Sequence, residues 1–532
     1  MISGFGAQEE LQLLALLVSA AALLLLAGPL RIPYPILLVL GGLLLGFGPG
    51  VPTVTMPPEV VLVGILPPLL YVSAYFTGLR ELRRNLRPIS LLAVGLVAVT
   101  TVGVAVVAHE YADLPWASAF VLGAVVSPTD PIAATAIGRR FGVPHRLLDI
   151  VEGESLVNDG TALVLLRTAI AAAVTGSFSP WEAGGRLVLN VVGGIAVGLA
   201  VGYVIRRIRR VLDNPPLEVT LAFLTGYFAF LPASALGVSG VLAVVTAGVY
   251  MGWYTPELTT VQTRLQGQGF WEILTFLLNV LLFGLVGLQL RPIIDSLSGQ
   301  GDWSLLGEAA VIVLAVVLLR LAWVFPATYV PRRVFRRINE RDPSPPWTYP
   351  AFIGWTGMRG AVTIAAALLV PLETDAGAPF PGRDLIVFFA FAVVLGTLVV
   401  QGLSLPLAIR ALRLEEDDGG ADAEEARARV RAAEAALERL DELTGEPWVR
   451  DDTAERLRGL YRFRIDRFAE RLSEDGAGSI EYRSTKFRRL RRELLEAERH
   501  AVVAMRNTGE ISDEVMRRIE RDLDLEDSRL GA

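Results

Sequence analysis

Residues 117–138 read ASAFVLGAVVSPTDPIAATAIG, an apolar stretch with Asp130 held between two prolines near its middle. About 20 apolar residues in a helix match the thickness of a bilayer's hydrocarbon core. A proline lacks an N–H, and its ring clashes with the carbonyl four residues back. Pro128 and Pro131, three residues apart, therefore predict a helix that unwinds around Asp130. Unwinding frees backbone carbonyls beside the carboxylate, and oxygen donors of this kind suit a dehydrated alkali cation. Broken helices at membrane depth are tolerated where the backbone lines a cavity, and they mark binding sites in secondary transporters.

The flanking sequence repeats the apolar theme. Leu11–Leu30 (LQLLALLVSAAALLLLAGPL) carries no charge, 52% of the 532 residues are hydrophobic, and the mean hydropathy is +0.48. A buried helix in a large soluble protein would account for one such block but not for a dozen. Roughly thirteen spans are predicted, near 11–30, 34–49, 59–76, 88–109, 117–138, 147–174, 185–205, 216–231, 235–252, 270–290, 304–330, 349–371 and 384–410. Met1–Glu10 has no basic residue, so the first block reads as a retained span and not as a cleaved signal.

Arginines occupy alternate loops: Arg31; Arg80, Arg83, Arg84 and Arg87; Arg139, Arg140 and Arg146; Arg206, Arg207, Arg209 and Arg210; Arg264; and Arg332, Arg333, Arg336, Arg337 and Arg341. The intervening loops offer Arg186, Arg291 and Arg383. By the positive-inside rule this places the N-terminus outside and the C-terminus in the cytoplasm of a multi-pass cell-membrane protein. Composition then changes sharply, dividing a transmembrane domain, 1–412, from a charged region, 413–532, with Ala, Glu, Arg and Leu at helical spacing. That region reads as a solvated helical tail; a regulatory or dimer-stabilising role is the alternative.

Cysteine is absent and the three histidines are scattered, which excludes disulfides, thiolate chemistry and a histidine-based metal site. No phosphate-binding loop, nucleotide motif or nucleic-acid signature is present, so no cofactor is expected and an ion gradient is the expected energy source.

Ionisable groups inside spans carry the functional information. Each costs roughly 2.5–3.5 kcal/mol on insertion scales unless paired or hydrated. Besides Asp130, the sixth span contains Glu152-Gly153-Glu154-Ser155-Leu156-Val157-Asn158-Asp159-Gly160. At about 100° per residue, Ser155 and Asp159 share one face, and Glu154 and Asn158 the next. The first face can look into an aqueous funnel and bind an ion, while the second can hold other helices. Glu152, nearer the cytoplasmic end, reads as a solvated or structural acid. The twelfth span contains Gly354-Trp355-Thr356-Gly357-Met358-Arg359-Gly360, whose glycines permit close approach or unwinding. Arg359 needs an anion at that depth. Glu154 is the expected partner, and Asp130 or Asp159 is the alternative that would suppress cation binding.

At SPTDPIAATAI, EGESLVNDGTALVLL and GWTGMRGAVTIAAAL the chain resembles the monovalent cation/proton antiporters of the sodium/proton exchanger type. Supporting matches are Leu236–Gly252 and Phe270–Leu290, and the likeness covers about the first 410 residues. The resemblance implies an inverted-repeat fold with unwound crossing helices and a homodimer in which a core domain moves against a dimerisation domain. It implies that Asp159 alternately holds the cation and the proton, and that Thr129, Asp130 and Ser155 complete the shell of Na+. Asn158 would tie the sixth span to the unwound fifth, and Glu154 would pair with Arg359. Asn158-Asp159, in place of two successive aspartates, resembles the electroneutral branch. Two positions depart from the pattern. Val72 stands where many relatives place glutamate, and Pro232-Ala233-Ser234-Ala235 lacks an acid often found before the LGVSG segment.

The reading that follows is a secondary antiporter, not an enzyme, exchanging Na+ (or Li+ or K+) for H+ and serving pH and sodium homeostasis. A potassium/proton antiporter, a channel and an intramembrane aspartyl hydrolase built on Asp130 and Asp159 are the alternatives. Intramembrane aspartyl proteases, however, rely on a Gly-x-Gly-Asp string that Val157-Asn158-Asp159 does not supply. Ser155 has no histidine beside it to act as a hydrolase nucleophile.

Overall fold

The computed structural model describes residues 33–47, 57–175, 180–289, 303–375, 377–414, 418–470 and 479–531, together with residues 25, 291, 293, 294 and 472. The expected span 11–30 lies outside the described residues except for Leu25. The chain divides into two compact units, Met1–Glu416 and Asp417–Ala532.

In the first unit the regular structure of the described residues is helical apart from one β-bridge, Glu373–Pro379. Its main helices are α1 (Tyr34–Gly46), α2 (Val60–Phe76), α3 (Leu86–Ala112), α4 (Trp116–Val126), α5 (Ile132–Arg140), α6 (His145–Thr175) and α7 (Pro180–Arg209). They continue as α8 (Pro215–Ala235), α9 (Gly240–Leu258), α10 (Val261–Leu288), α11 (Trp303–Val334), α12 (Thr348–Trp355), α13 (Ala361–Leu368) and α14 (Arg383–Leu412). Seven of the described helices are long and apolar enough to cross a membrane. The division between the spans expected at 216–231 and 235–252 falls at Leu236–Ser239, where a left-handed Gly237 separates α8 from α9.

Why these apolar helices do not collapse into a water-soluble core is visible on α7, where Val188, Leu189, Val192, Leu199 and Val204 stand exposed in a row of turns. An apolar face of that extent is stable only against lipid or another protein. Packing sorts the helices into two bundles. In one, α3 lies against α4 and α11, α4 against α6 and α14, and α13 against α14. In the other, α1 packs on α10, α2 on α9, and α9 on α7 and α8. Each interrupted span, α4/α5 and α12/α13, belongs to the first bundle and sits between two unbroken neighbours in the chain, α3 and α6 or α11 and α14.

The second unit contains α15 (Asp418–Leu443), α16 (Asp451–Glu470), α17 (Ser479–Asn507) and α18 (Asp513–Gly531). α15 packs with α16 and α17 with α18. Arg458 pairs with Asp441 across the first hairpin at 2.6 Å.

At one end of the first bundle three arginines converge on a loop carboxylate. Arg146 Nη2 donates to Asp342 Oδ1 at 2.8 Å, and Arg87 Nη2 and Arg332 Nη2 donate to Oδ2 at 2.9 and 2.7 Å. The cluster ties the starts of α3 and α6 to the end of α11 and to the loop entering α12. Burial alone would raise the Asp342 carboxyl; the Arg146 hydrogen bond and the charges of Arg146, Arg332 and Arg87 outweigh it and hold it below the ordinary carboxylate range. A depressed folded-state value contributes stability that is complete above the unfolded value of about 3.9 and is lost as pH falls through the lower folded one. Asp342→Asn is therefore expected to lower the thermal midpoint at neutral pH, with a deficit that shrinks as pH falls below about 4. Thermal scans across a pH series check this, and a deficit that persists undiminished into acid would count against the clamp.

Candidate functional site

The two interruptions predicted from proline and glycine meet each other. α4 stops at Val126 and α5 starts at Ile132; α12 stops at Trp355 and α13 starts at Ala361. The extended links cross, and the Asp130 N–H donates to the Met358 carbonyl at 2.8 Å. Four helix ends thus meet inside the bundle, and each leaves backbone groups without intrahelical partners. Arg359 serves the carbonyl ends: its Nε donates to Val126 O at 3.0 Å and its Nη1 to Gly357 O. A guanidinium there also meets the negative ends of the α4 and α12 dipoles. Asp130 serves the amide ends, its Oδ1 accepting from Ile132 N at 2.9 Å at the start of α5. Its carboxylate also lies against Gly360 at the start of α13, so closely that a Cβ on Gly360 would occupy the same space. The Arg359 N–H is taken by Thr397 Oγ1 at 3.0 Å, presented by a wide π-helical turn, Thr397–Gln401, within α14.

On α6 the two-face reading is realised. Ser155 and Asp159, 8% and 5% exposed, line a cavity of about 840 Å3, while Glu154 and Asn158 turn into the bundle. Asn158 Nδ2 donates to Thr129 Oγ1 at 2.9 Å, and Thr129 Oγ1 donates to Glu154 Oε1 at 3.0 Å. The Thr129 hydroxyl therefore commits its proton and one lone pair to helix–helix bonds. One lone pair and the backbone carbonyl remain for an ion.

The partner of Glu154 differs from expectation. Arg320, in the middle of α11 and fully buried, grips Glu154 with Nη1 to Oε1 at 2.5 Å and Nη2 to Oε2 at 2.8 Å. Arg359 makes no ion pair among the described residues: the carbonyls of two broken helices take its Nε and Nη1, and its Nη2 is buried without a hydrogen-bond partner. Gly357 separates the two guanidiniums, since a Cβ there would run into the Arg320 side chain. The sequence signal for Arg320 is a lone arginine in LLRLAW, an ionisable group inside an apolar span that was not among those singled out. A second buried pair, Arg209 with Glu218 at 3.4 Å, went unread because Arg209 counts as one of a loop's basic cluster.

The cavity is a funnel between the two bundles. Its rim carries Arg139 and Glu152, paired at 2.7 Å, with Gln268 and Glu272 opposite. Its foot carries Asp130, Thr129, Ser155 and Asp159. Asp130 and Asp159 lie near enough for their charges to interact, and no basic side chain pairs with either among the described residues. The wall facing them, from α1, α2 and α10, is mainly apolar, with Tyr34, Ser73, Thr275 and Asn279 as polar exceptions; Val72 forms part of it. Four described residues thus offer two carboxylates, two hydroxyls and freed carbonyls, an all-oxygen set suited to a hard monovalent cation as cargo.

Crossed, interrupted helices with uncompensated carboxylates at the foot of an open funnel define a membrane transporter of the broken-helix class. The transmembrane sodium/hydrogen exchanger family profile matches residues 13–411. An uncharacterized Na(+)/H(+) exchanger of Mycobacterium tuberculosis is 39% identical over 509 residues, covering 94% of this chain and 92% of that protein. The Na(+)/H(+) antiporter ApNhaP of Aphanothece halophytica is 33% identical over 423 residues, covering 79% and 77%. The solved sodium proton antiporter MjNhaP1 of Methanocaldococcus jannaschii superposes with a TM-score of 0.57 at 19% identity, covering 74% of this chain and 99% of that one. The chain belongs to the sodium/hydrogen exchanger family: it is a multi-pass membrane transporter, not an enzyme.

Removing one partner of a buried ion pair strands the other charge and costs about 3–5 kcal/mol. Arg320→Gln and Glu154→Gln are each expected to lower the thermal midpoint strongly, and the double variant to recover part of the loss. A double-mutant cycle in nanodiscs should give strong coupling for Glu154 with Arg320 and weak coupling for Glu154 with Arg359. The reverse ranking would overturn the pairing.

Proposed function

We propose that this family member exchanges Na+ for H+ one for one, by competition of the two ions at Asp159. The observation that carries the reading is a buried carboxylate with no cationic side chain of its own at the foot of a water-wide funnel. Taking a bare carboxylate across low dielectric is unfavourable, whereas a site neutralised by one proton or one cation crosses readily. Arg320 and Arg359 are both engaged elsewhere, so the competition is left to the ions in solution.

In this account Asp130, Ser155 and the Thr129 carbonyl or remaining lone pair complete the Na+ shell. Asn158, Glu154 and Arg359, joined by Arg320, form the scaffold. Crossing interrupted helices arranged as inverted repeats would move as a core past the second bundle, with the protein working as a homodimer in the cell membrane. The arginine-rich loops set the funnel rim on the cytoplasmic side, with the N-terminus outside and the C-terminus inside.

Asp159→Asn keeps the shape and removes the titrating oxygen. Sodium-driven pH change in everted vesicles should fall to the level of vesicles without the protein, and surviving exchange would reject the assignment. In proteoliposomes containing the unaltered chain, collapsing the membrane potential should leave the exchange rate unchanged; a rate that follows the potential would reject the one-for-one stoichiometry.

A further inference from the structure

The C-terminal hairpin presents a surface that the hairpin itself leaves uncovered. Between α17 and α18, Leu495, Val502 and Leu523 are buried, and Arg491 and Arg499 reach Glu526, Asp524 and Asp527. On an adjoining face of α17, Phe487, Leu490 and Leu494 are 64%, 61% and 47% exposed. At about 100° per residue these three fall within about 60° of arc, so they form one outward stripe. The surrounding segment 483–492, RSTKFRRLRR, holds six basic side chains and no acid; Arg491 and Arg492 pair with Glu526 and Asp527 of α18, and the other four precede or flank the stripe in sequence.

We infer that this stripe is a docking face for an anionic lipid surface. Phe487, Leu490 and Leu494 would enter the headgroup boundary while the flanking cations meet lipid phosphates. Basic amphipathic helices adsorb to bilayers in this way, by buried apolar area plus attraction to anionic lipid. Tethering favours a membrane over any soluble polyanion: α15 begins at Asp418, shortly after α14 ends at Leu412, so a bilayer is always present at high effective concentration. The inference does not depend on which ions are exchanged.

The chain lacks cysteine, so a single probe can be placed on the full-length protein in liposomes. A fluorophore on Leu490→Cys is expected to be quenched by bromine-labelled acyl chains severalfold more in vesicles containing phosphatidylglycerol than in phosphatidylcholine alone. Added salt should weaken the effect through screening. A probe on Glu496→Cys, on another face of α17, should stay unquenched in both. Combining Leu490→Cys with Lys486→Gln, Arg488→Gln and Arg489→Gln should abolish the lipid dependence while helicity by circular dichroism is retained. Equal quenching in the two vesicle types would overturn the proposal. So would excimer emission between labelled copies, which would give the face to a second chain. Sodium-driven exchange measured in the same vesicles keeps this outcome separate from that of the transport mechanism.

Discussion

Everything in the first bundle is arranged around two stretches of the chain crossing where each has stopped being a helix. A helix interrupted inside a low-dielectric interior leaves amides and carbonyls that water cannot reach, and each such group costs on the order of 1–3 kcal/mol if left unmet. The Asp130–Met358 backbone bond, the Arg359 guanidinium on two carbonyl ends and the Asp130 carboxylate on an amide end answer that demand together. Because the compensation is mutual, neither interruption is stable without the other. The same geometry leaves Asp130 with one oxygen committed to the fold and the other beside the funnel.

A second tier of bonds holds α6 to this crossing. Arg320, Glu154, Thr129 and Asn158 form one continuous chain of charge-assisted and neutral hydrogen bonds across α11, α6 and the α4/α5 link. Charge-assisted, bidentate bonds are the stiffest available to a side chain. Ser155 and Asp159 ride on the same helix one residue beyond Glu154 and Asn158, so their positions are fixed by contacts on the neighbouring face of their own helix.

Features with a local cause were legible in the sequence. Pro128 and Pro131 dictate a break wherever they are folded, and residues four apart on a helix share a face, so both the interruption and the two faces of α6 could be read directly. Pairings across long sequence separation could not. Glu154 needed a buried cation, and Arg359, surrounded by glycines in a second anomalous span, was the conspicuous candidate. Arg320 lies in an apolar stretch of α11 with no glycine or proline within five residues on either side. What Arg359 actually serves, the carbonyls of broken helices, leaves no signature in side-chain sequence, because every residue has a carbonyl. The hydrogen bonds that the Thr129 hydroxyl makes with Asn158 and Glu154 become visible only when α6 is placed beside it.

The apolar lining of one side of the funnel has a mechanical meaning. The crossing and its carboxylates are bolted together by directional bonds, whereas Leu66, Leu69, Phe276 and Leu282 across from them offer contacts that are indifferent to orientation. Dispersion contacts exchange one neighbour for another at little cost, while hydrogen bonds must be broken before they can be remade. On this side of the funnel the second bundle therefore meets the acids as a greased sleeve meets a cartridge, through contacts that set no orientation, while the crossing itself is held by bonds that do.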